Sequence, residues 1–343
     1  MKAIVTGGAG FIGSHVAGIL ITQGHQVLVI DDLSGGFEAN VPSGAEFEKR
    51  SVLDPLDPIF ESYRPNAVYH LAAYAAEGLS HHIPVFNFMN NTVATANVLS
   101  AAYRAGAEHF VFTSSIAAYG HSHDARPFDE KTACEPCDPY GAAKLACENY
   151  IRSFESYFGG PSFTIFRPHN VFGPCQNISD PYRNVVGIFM SCALRKKPMP
   201  VFGDGSQTRS FSYITSVARC IAEAPSTPAA RNAVINVGGD EPMSVRDLAG
   251  EVARVMGVPT DIRWLPSRKE VQNAHCSHEL ARQIFPRVYS EMIDIATGLK
   301  LMAKFVHVHP IPPLTECPSP IEISDQLPPS WAERLGNPVG STI

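Results

Sequence analysis

Hydrophobic positions in the first half of the chain fall into two alternating patterns. Lys2 to Thr6 is a short apolar, β-branched run. Closely spaced glycines and an amphipathic segment follow, reaching about Gln23, where Gly24 ends it. Gln26 to Ile30 is a second apolar run and leads to Asp31. Ala67 to His70, His109 to Thr113 and Ser162 to Phe166 repeat the strand pattern, while roughly Pro84 to Ala105 and Tyr140 to Phe158 carry the helical one. Apolar strands alternating with amphipathic helices predict an α/β fold, a doubly wound parallel sheet of Rossmann type covered on both faces. The ends of those strands carry small and polar groups, including His70-Leu-Ala-Ala73, Thr113-Ser-Ser115 and Arg167-Pro-His-Asn170. Ligands of such sheets lie at the carboxyl ends of the strands.

Beyond residue 170 segments shorten and prolines multiply. Helices are expected at Val185–Lys196, Val217–Ala224 and Ser244–Met256, the last with Ser244 as its cap. This predicts a sheet-forming main domain over 1–170 and a smaller lobe over 171–300, which covers the sheet's carboxyl edge and is interleaved with late strands of the main sheet. Residues 301–343, with Pro310, Pro312, Pro313, Pro318 and Pro320, read as an extended tail wrapping the surface or a partner subunit. No internal repeat is evident.

Composition narrows the function classes. A net charge of −6 over 343 residues gives no reason to expect nucleic acid or an anionic membrane as partner. No run of ~18 apolar residues is present, and the N-terminus enters a strand without a signal-peptide pattern, so a cytoplasmic protein is expected. Cys134-Glu-Pro-Cys137 has the spacing of half a zinc site, with His121 and His123 nearby in sequence. No second pair with matching spacing follows, so reduced loop thiols and no metal site are expected.

The glycines after Lys2–Thr6 have a physical role apiece. Gly7 allows a tight turn, Gly10 lets the backbone approach a pyrophosphate, and Gly13 lets the helix pack closely on the sheet. The helix N-terminus then points amides at the phosphates. Asp31 takes the hydroxyls of an adenine ribose and repels a 2′-phosphate, which favours NAD over NADP as cofactor. Further along, Tyr140 and Lys144 share one face of a helix that starts near Pro139. A lysine ammonium beside a phenol is expected to lower its pKa and make it an acid/base near neutrality. Tyr-x-x-x-Lys alone is a common solvated pattern, so its context decides.

That context resembles the extended short-chain dehydrogenase/reductases, and within them the NAD-dependent nucleotide-sugar epimerase/dehydratase family, nearest its UDP-glucose 4-epimerases. The resemblance covers about residues 1–285. It rests on Thr-Gly-Gly-Ala-Gly-Phe-Ile-Gly at 6–13, Asp31-Asp-Leu, His-Leu-Ala-Ala at 70–73 and Asn-Asn at 90–91. Further motifs are Thr-Ser-Ser-Ile-Ala-Ala-Tyr-Gly at 113–120, Tyr140 with Lys144, Arg-Pro-His-Asn-Val-Phe-Gly-Pro at 167–174, Phe-Gly-Asp-Gly-Ser-Gln-Thr-Arg at 202–209, and Arg268. The resemblance implies that Tyr140 exchanges a proton with a sugar hydroxyl while Ser115 relays it. Lys144 would hold the nicotinamide ribose, and Asn91 would support the lysine. Tightly held NAD would line Phe11 and Ile12, Asp32, Leu33, Ser34 and Gly35, Ser51 and Val52, and Leu71, Ala72, Ala73 and Thr113. Pro168 and His169 would meet it through their backbone. The UDP-sugar would touch Glu77, Asn170, Arg183, Asn184, Val185, Pro200, Phe202, Arg209, Arg268 and Ala274. Arg209 and Arg268 as surface ion-pair residues, Asn184 as a loop amide and Ser115 as a turn cap are the structural alternatives. A homodimer through the helix carrying Tyr140 is also implied.

Departures from the family pattern are Ser51, where an acid is common, Ser210 and Ser216 after the arginine motif, and Glu77. Three chemistries share the frame. A 4,6-dehydratase needs an acid/base pair right after the catalytic serine, and Ile116-Ala117 cannot move a proton. Arg183 keeps a UDP-uronic acid epimerase or decarboxylase open. Epimerisation at C4 of UDP-glucose/galactose or the N-acetylated pair is expected, Ala274 being small enough to admit an N-acetyl group. A non-catalytic NAD sensor is the alternative outside enzymes, and the presence of both Tyr140 and Lys144 speaks against it.

Overall fold

A computed structural model of the chain describes residues 1–121, 126–267 and 271–332. Seven strands form the central sheet: β1 (Lys2–Thr6), β2 (Gln26–Asp31), β3 (Glu46–Lys49), β4 (Ala67–His70), β5 (His109–Thr113), β6 (Ser162–Pro168) and β7 (Ala233–Val237). Their order is β3-β2-β1-β4-β5-β6-β7 and every pairing is parallel. The winding direction reverses between β1 and β4. Loops leave these two neighbours on opposite sides, opening the crevice where doubly wound sheets bind ligands.

The longer helices are α1 (Phe11–Thr22), α2 (Ala94–Arg104), α3 (Pro139–Phe158), α4 (Val185–Leu194), α5 (Ile214–Glu223), α6 (Val245–Met256) and α7 (Ile295–Val308). Ile4, Leu28, Val68, Phe110, Phe112 and Ile165 cover one face of the sheet together with Val98 and Leu99 of α2 and Cys147 and Ile151 of α3. Ala3, Val5, Val29, Tyr69, Val111 and Phe166 serve the other face, with Val16 and Leu20 of α1 and Ile214, Val217 and Ile221 of α5. Such two-sided burial is why the strands read as nearly continuous apolar runs.

The helix expected over Pro84–Ala105 is present as a continuous helical path, but a π turn at Met89–Val93 divides Pro84–Phe88 from α2. The cause is local. Asn90 and Asn91 send their side-chain amides to the carbonyls of Phe86 and Asn87, competing with the backbone amides for those acceptors. Ser244 caps α6 as expected, its hydroxyl accepting from Asp247 N.

In the second lobe, short strands at Met199–Phe202 and Ile262–Leu265 pair in parallel. Thr208–Ser210 pairs with Pro242–Ser244 on one side and Asn273–Ala274 on the other. The chain returns from this lobe to lay β7 beside β6. The tail starts later than the sequence pattern suggested, because residues 301–308 belong to α7. Leu299, Met302, Ala303 and Val306 give that helix a buried face at helical spacing, and the prolines begin only at 310.

Candidate active site

At the carboxyl end of β1, Gly7 has φ +73°, and a Cβ there would lie 2.6 Å from the backbone N of Ala72. The β1 turn and the loop after β4 therefore meet backbone to backbone, which only glycine permits. Gly10 is the N-cap of α1, whose first turn carries neither a capping side chain nor an acid. Its amides and the positive end of its dipole are left for an anion. Asp31 ends β2 buried, its Oδ2 accepting from Ala9 N at 3.0 Å and its Oδ1 from Leu33 N at 2.8 Å. The Gly10 amide also bonds this carboxylate, which still keeps a lone pair for a ribose hydroxyl. Burial raises the Asp31 pKa, while the Leu33 and Ala9 amides oppose that rise. Asp32 accepts from Ser34 N. These residues fit a dinucleotide: a glycine cradle that a Cβ would fill, a bare helix N-terminus, and an acid at the end of the second strand.

Other expected cofactor residues are placed less openly. Ser51 Oγ accepts from Leu53 N in a local turn, and the Val52 carbonyl accepts from Asn97 on α2. His169 follows Pro168 at the end of β6, but its ring turns into the second lobe. There it bonds Ser210 O at 3.1 Å and His278 Nε2 at 2.9 Å, leaving only its backbone for the cleft.

The catalytic pattern converges where β5 ends. Asp138 caps α3 by accepting from Gly141 N, and Pro139 occupies the first turn, so Tyr140 and Lys144 sit one turn apart at the helix start. Ser115 Oγ hydrogen-bonds Tyr140 and also accepts from Ala117 N. Lys144 Nζ donates to the Thr113 carbonyl at 2.9 Å and lies 4.8 Å from the Phe112 ring centre. One turn further on, Glu148 pairs with Arg167 at 2.6 Å, and both side chains are almost wholly buried.

The electrostatics differ from the expectation. Burial pushes the Tyr140 pKa up, Glu77's charge adds to the rise, and Ser115's hydrogen bond opposes it. Lys144 Nζ lies 5.8 Å from the Tyr140 ring centre. Its own pKa falls from 10.5 to about 8 because it is buried. Without a further cation in the cleft, the pair is a phenol beside a reluctant ammonium.

Asn91 is 1% exposed, and its side chain donates to Tyr74 O, Asn87 O and Asn87 Oδ1. Its carbonyl takes the Thr95 hydroxyl proton at 2.6 Å, so Thr95 Oγ1 must accept from His70 Nε2–H, 3.1 Å away. His70 Nδ1 then accepts from the Thr6 hydroxyl at 2.8 Å. A directed chain thus joins the glycine turn to the π turn, and burial keeps its histidine neutral by lowering the pKa to about 3.

On the second lobe, Asn184 is the N-cap of α4. Its oxygen accepts from Val186 N and its amide donates to Val171 O, so the side chain is committed to structure. Val185 begins that helix, half-buried against the core. Arg183 pairs with Asp180 at 2.9 Å, stacks 4.5 Å from the Tyr74 ring centre, and lies against Gly35. Asn170 has φ +39° and donates to Ser210 O, while Arg209 donates to Thr208 O and Gln272 O. Pro200 and Phe202 lie half-buried on the Met199–Phe202 strand. Ala274 is buried with Ile116 and Tyr119. Arg268 and His123 lie outside the described residues.

Three supporting groups went unread in the sequence. Asn87, fully buried, donates to Pro139 O at the start of α3. Ser80 Oγ accepts from Tyr140 N at 3.2 Å. Tyr74 carries Arg183. Asn87 and Asn91 at i,i+4 spacing was a usable signal; the other two had none.

The description "NAD dependent epimerase/dehydratase family" belongs to a family model that matches residues 3–238. The chain belongs to this family. NAD is the family's cofactor, and the cradle above fits it. Among relatives, the UDP-glucose 4-epimerase of Mycolicibacterium smegmatis is 31% identical over 314 residues, covering 89% of this chain and 98% of that protein. A crystal structure of UDP-glucose 4-epimerase from Thermotoga maritima with UDP-glucose is 32% identical with a TM-score of 0.83, covering 90% and 99% of the two chains. The Thermus thermophilus UDP-glucose 4-epimerase complex with NAD is 29% identical with a TM-score of 0.83, covering 90% and 99%. The family member described here is accordingly a nucleotide-sugar epimerase/dehydratase. Roughly a tenth of its chain lies outside each of these matches. Among the described residues, no helix is long and apolar enough to cross a membrane.

Proposed function

We propose that the chain interconverts the C4 epimers of a UDP-sugar, with NAD as the recycled oxidant. The observation carrying this reading is the meeting of Tyr140, Ser115 and Lys144 at the end of β5, with apolar Ile116 and Ala117 in the next two positions. Tyr140 takes the proton of the C4 hydroxyl and returns it after the 4-keto sugar has presented its other face. Ser115, already hydrogen-bonded to Tyr140, holds the same oxygen and shares the proton. Oxidised NAD, when bound, would supply the hydride acceptor and a positive charge near this buried phenol. Lys144, whose ammonium donates to Thr113 O, would hold the cofactor's ribose.

Elimination of water is disfavoured because neither Ile116 nor Ala117 can move a proton. A uronate substrate is disfavoured because Arg183 is already paired with buried Asp180. Ala274, small and packed with Ile116 next to Ser115, supports acceptance of N-acetylated hexosamines alongside hexoses. A homodimer is part of the proposal. Val85, Met89 and Val93 on the first helical path and Tyr157 and Phe158 on α3 are exposed apolar side chains on the two helices a partner would cover.

The test is incubation with UDP-glucose, UDP-N-acetylglucosamine and UDP-glucuronate in turn, without added NAD, followed by separation of the products. Galacto-configured product from either of the first two is expected. Bound NAD with no product from any of them would overturn the epimerase reading.

A further inference from the structure

Residues 310–332 tie together two segments that reach the candidate site from different lobes. Close to α7, Pro312 O accepts from Ser179 Oγ at 2.7 Å and from Arg195 Nη2 at 2.9 Å. Thr315 N donates to Ser179 O, and its hydroxyl accepts from Asn177 at 2.8 Å. These bonds fix the stretch carrying Asp180, Arg183 and Asn184. Further on, the carboxylate of Glu322 accepts from Val85 N at 2.7 Å and Phe86 N at 2.9 Å, and Glu322 N donates to His82 O. His82 Nδ1 donates to Ile323 O at 2.8 Å.

Trp331 ends this strap. Only 7% exposed, it packs edge-on to Tyr182 at 5.3 Å and to His82 at 6.2 Å, in one apolar cluster with Tyr74, Leu79 and Ile83. One wall of that cluster therefore comes from the main domain, one from the second lobe and one from the tail. It adjoins two functional contacts. Tyr74 bears the Arg183 guanidinium, and Ser80 accepts from Tyr140 N.

We propose that Glu322 and Trp331 are positioning residues, which hold the sugar-nucleotide groups of the second lobe in register with Tyr140. Closing two lobes by an internal strap spares the ligand the cost of ordering them, and that gain appears in substrate affinity. The cofactor cradle at β1 and α1 makes none of the tail contacts described above, so NAD retention is independent of the strap. The kinetic part rests on the epimerase reading; the binding part does not.

Five forms are compared: the full chain, a chain ending at His309, Trp331→Ala, Trp331→Phe and Glu322→Gln. Each is assayed for KM, kcat, bound NAD and the affinity for UDP alone. Trp331→Ala is expected to raise KM and weaken UDP binding about tenfold, with kcat within about threefold and NAD content unchanged. Trp331→Phe is expected to recover most of the loss. UDP affinity and KM within about twofold of the full chain in both Trp331→Ala and Glu322→Gln would overturn the proposal. Loss of NAD together with turnover would also overturn it, since the tail would then be a general brace. A full chain that turns over none of the sugars would refute the epimerase reading, while the UDP measurement would still judge the strap. The point variants carry the test if the shortened chain does not fold.

Discussion

Lys144 gives the most direct quantitative test of the site's electrostatics. Its side chain is 2% exposed, and burial lowers its pKa from 10.5 to about 8. Below pH 8 it is protonated in both folded and unfolded chains, and the fold bears the full cost of burying the charge. Between pH 8 and 10.5 the unfolded chain holds the proton and the folded chain does not, so stability rises with pH across that window. At about 1.4 kcal/mol per pH unit, the total gain is about 3 kcal/mol. Lys144→Met removes the titration. It also leaves the Thr113 carbonyl without this donor, but that loss does not vary with pH. Urea unfolding of cofactor-free protein, wild type and variant, at intervals from pH 7 to 10.5 gives the stability difference as a function of pH. Wild type should gain on the variant by about 3 kcal/mol across the upper part of this range. A difference that stays level to within about 1 kcal/mol would refute the placement of a buried ammonium at this position.

Other expectations follow from the same geometry. Tyr140→Phe should keep bound NAD and lose turnover by about 10²–10⁴-fold, measured on the best of the three sugars. Arg167→Met leaves the Glu148 carboxylate, fully buried, with Ser114 and the half-exposed Arg152 among the described residues, and should destabilise the chain by about 3–5 kcal/mol in denaturant unfolding. Asp31→Ser removes the charge that repels a 2′-phosphate, so the ratio of NAD to NADP affinity should fall. An unchanged ratio would show that Asp31 serves only to fasten Ala9 and Leu33. Asn87→Ala removes the bond to Pro139 O and should lower kcat more than it raises KM, read from steady-state kinetics.

Strands β1, β2, β4, β5 and β6 were legible because they are apolar on both sides, whereas β3, the polar edge strand Glu46–Lys49, went unread. Gly7, Gly10, Gly13 and Asp31 were legible because they fall in one strand, turn, helix and strand unit, where their spacing shows in the sequence even though Gly7 is held against Ala72. The second lobe was not. A two-residue strand such as Asn273–Ala274 has no period to read, and its partner at Thr208 lies far away in sequence. Asn184 and His169 sit in motifs that name a position but not a direction, and only the packing turns one into a helix cap and the other toward His278. The depressed pKa expected for Tyr140 assumed a neighbouring ammonium in water-like surroundings. Burial, which depends on the whole sheet, reverses it. Nor could proline content reveal that the tail carries Trp331 back to Tyr182.

The late arrival of β7 has a consequence for how the molecule is made. Its partner β6 ends at Pro168, yet β7 begins only at Ala233, and the intervening chain builds much of the other lobe. Until β7 docks, β6 is an outer strand whose free hydrogen-bonding edge is flanked by Phe163, Ile165 and Phe166. Such an edge is a template for pairing with another nascent chain. A fragment cut at residue 170 would keep its glycine turn and its Tyr140, and would still be expected to associate through that open edge. During synthesis, then, solubility depends on residues that take no part in the chemistry, and a slow stretch between 170 and 233 would leave the chain most exposed.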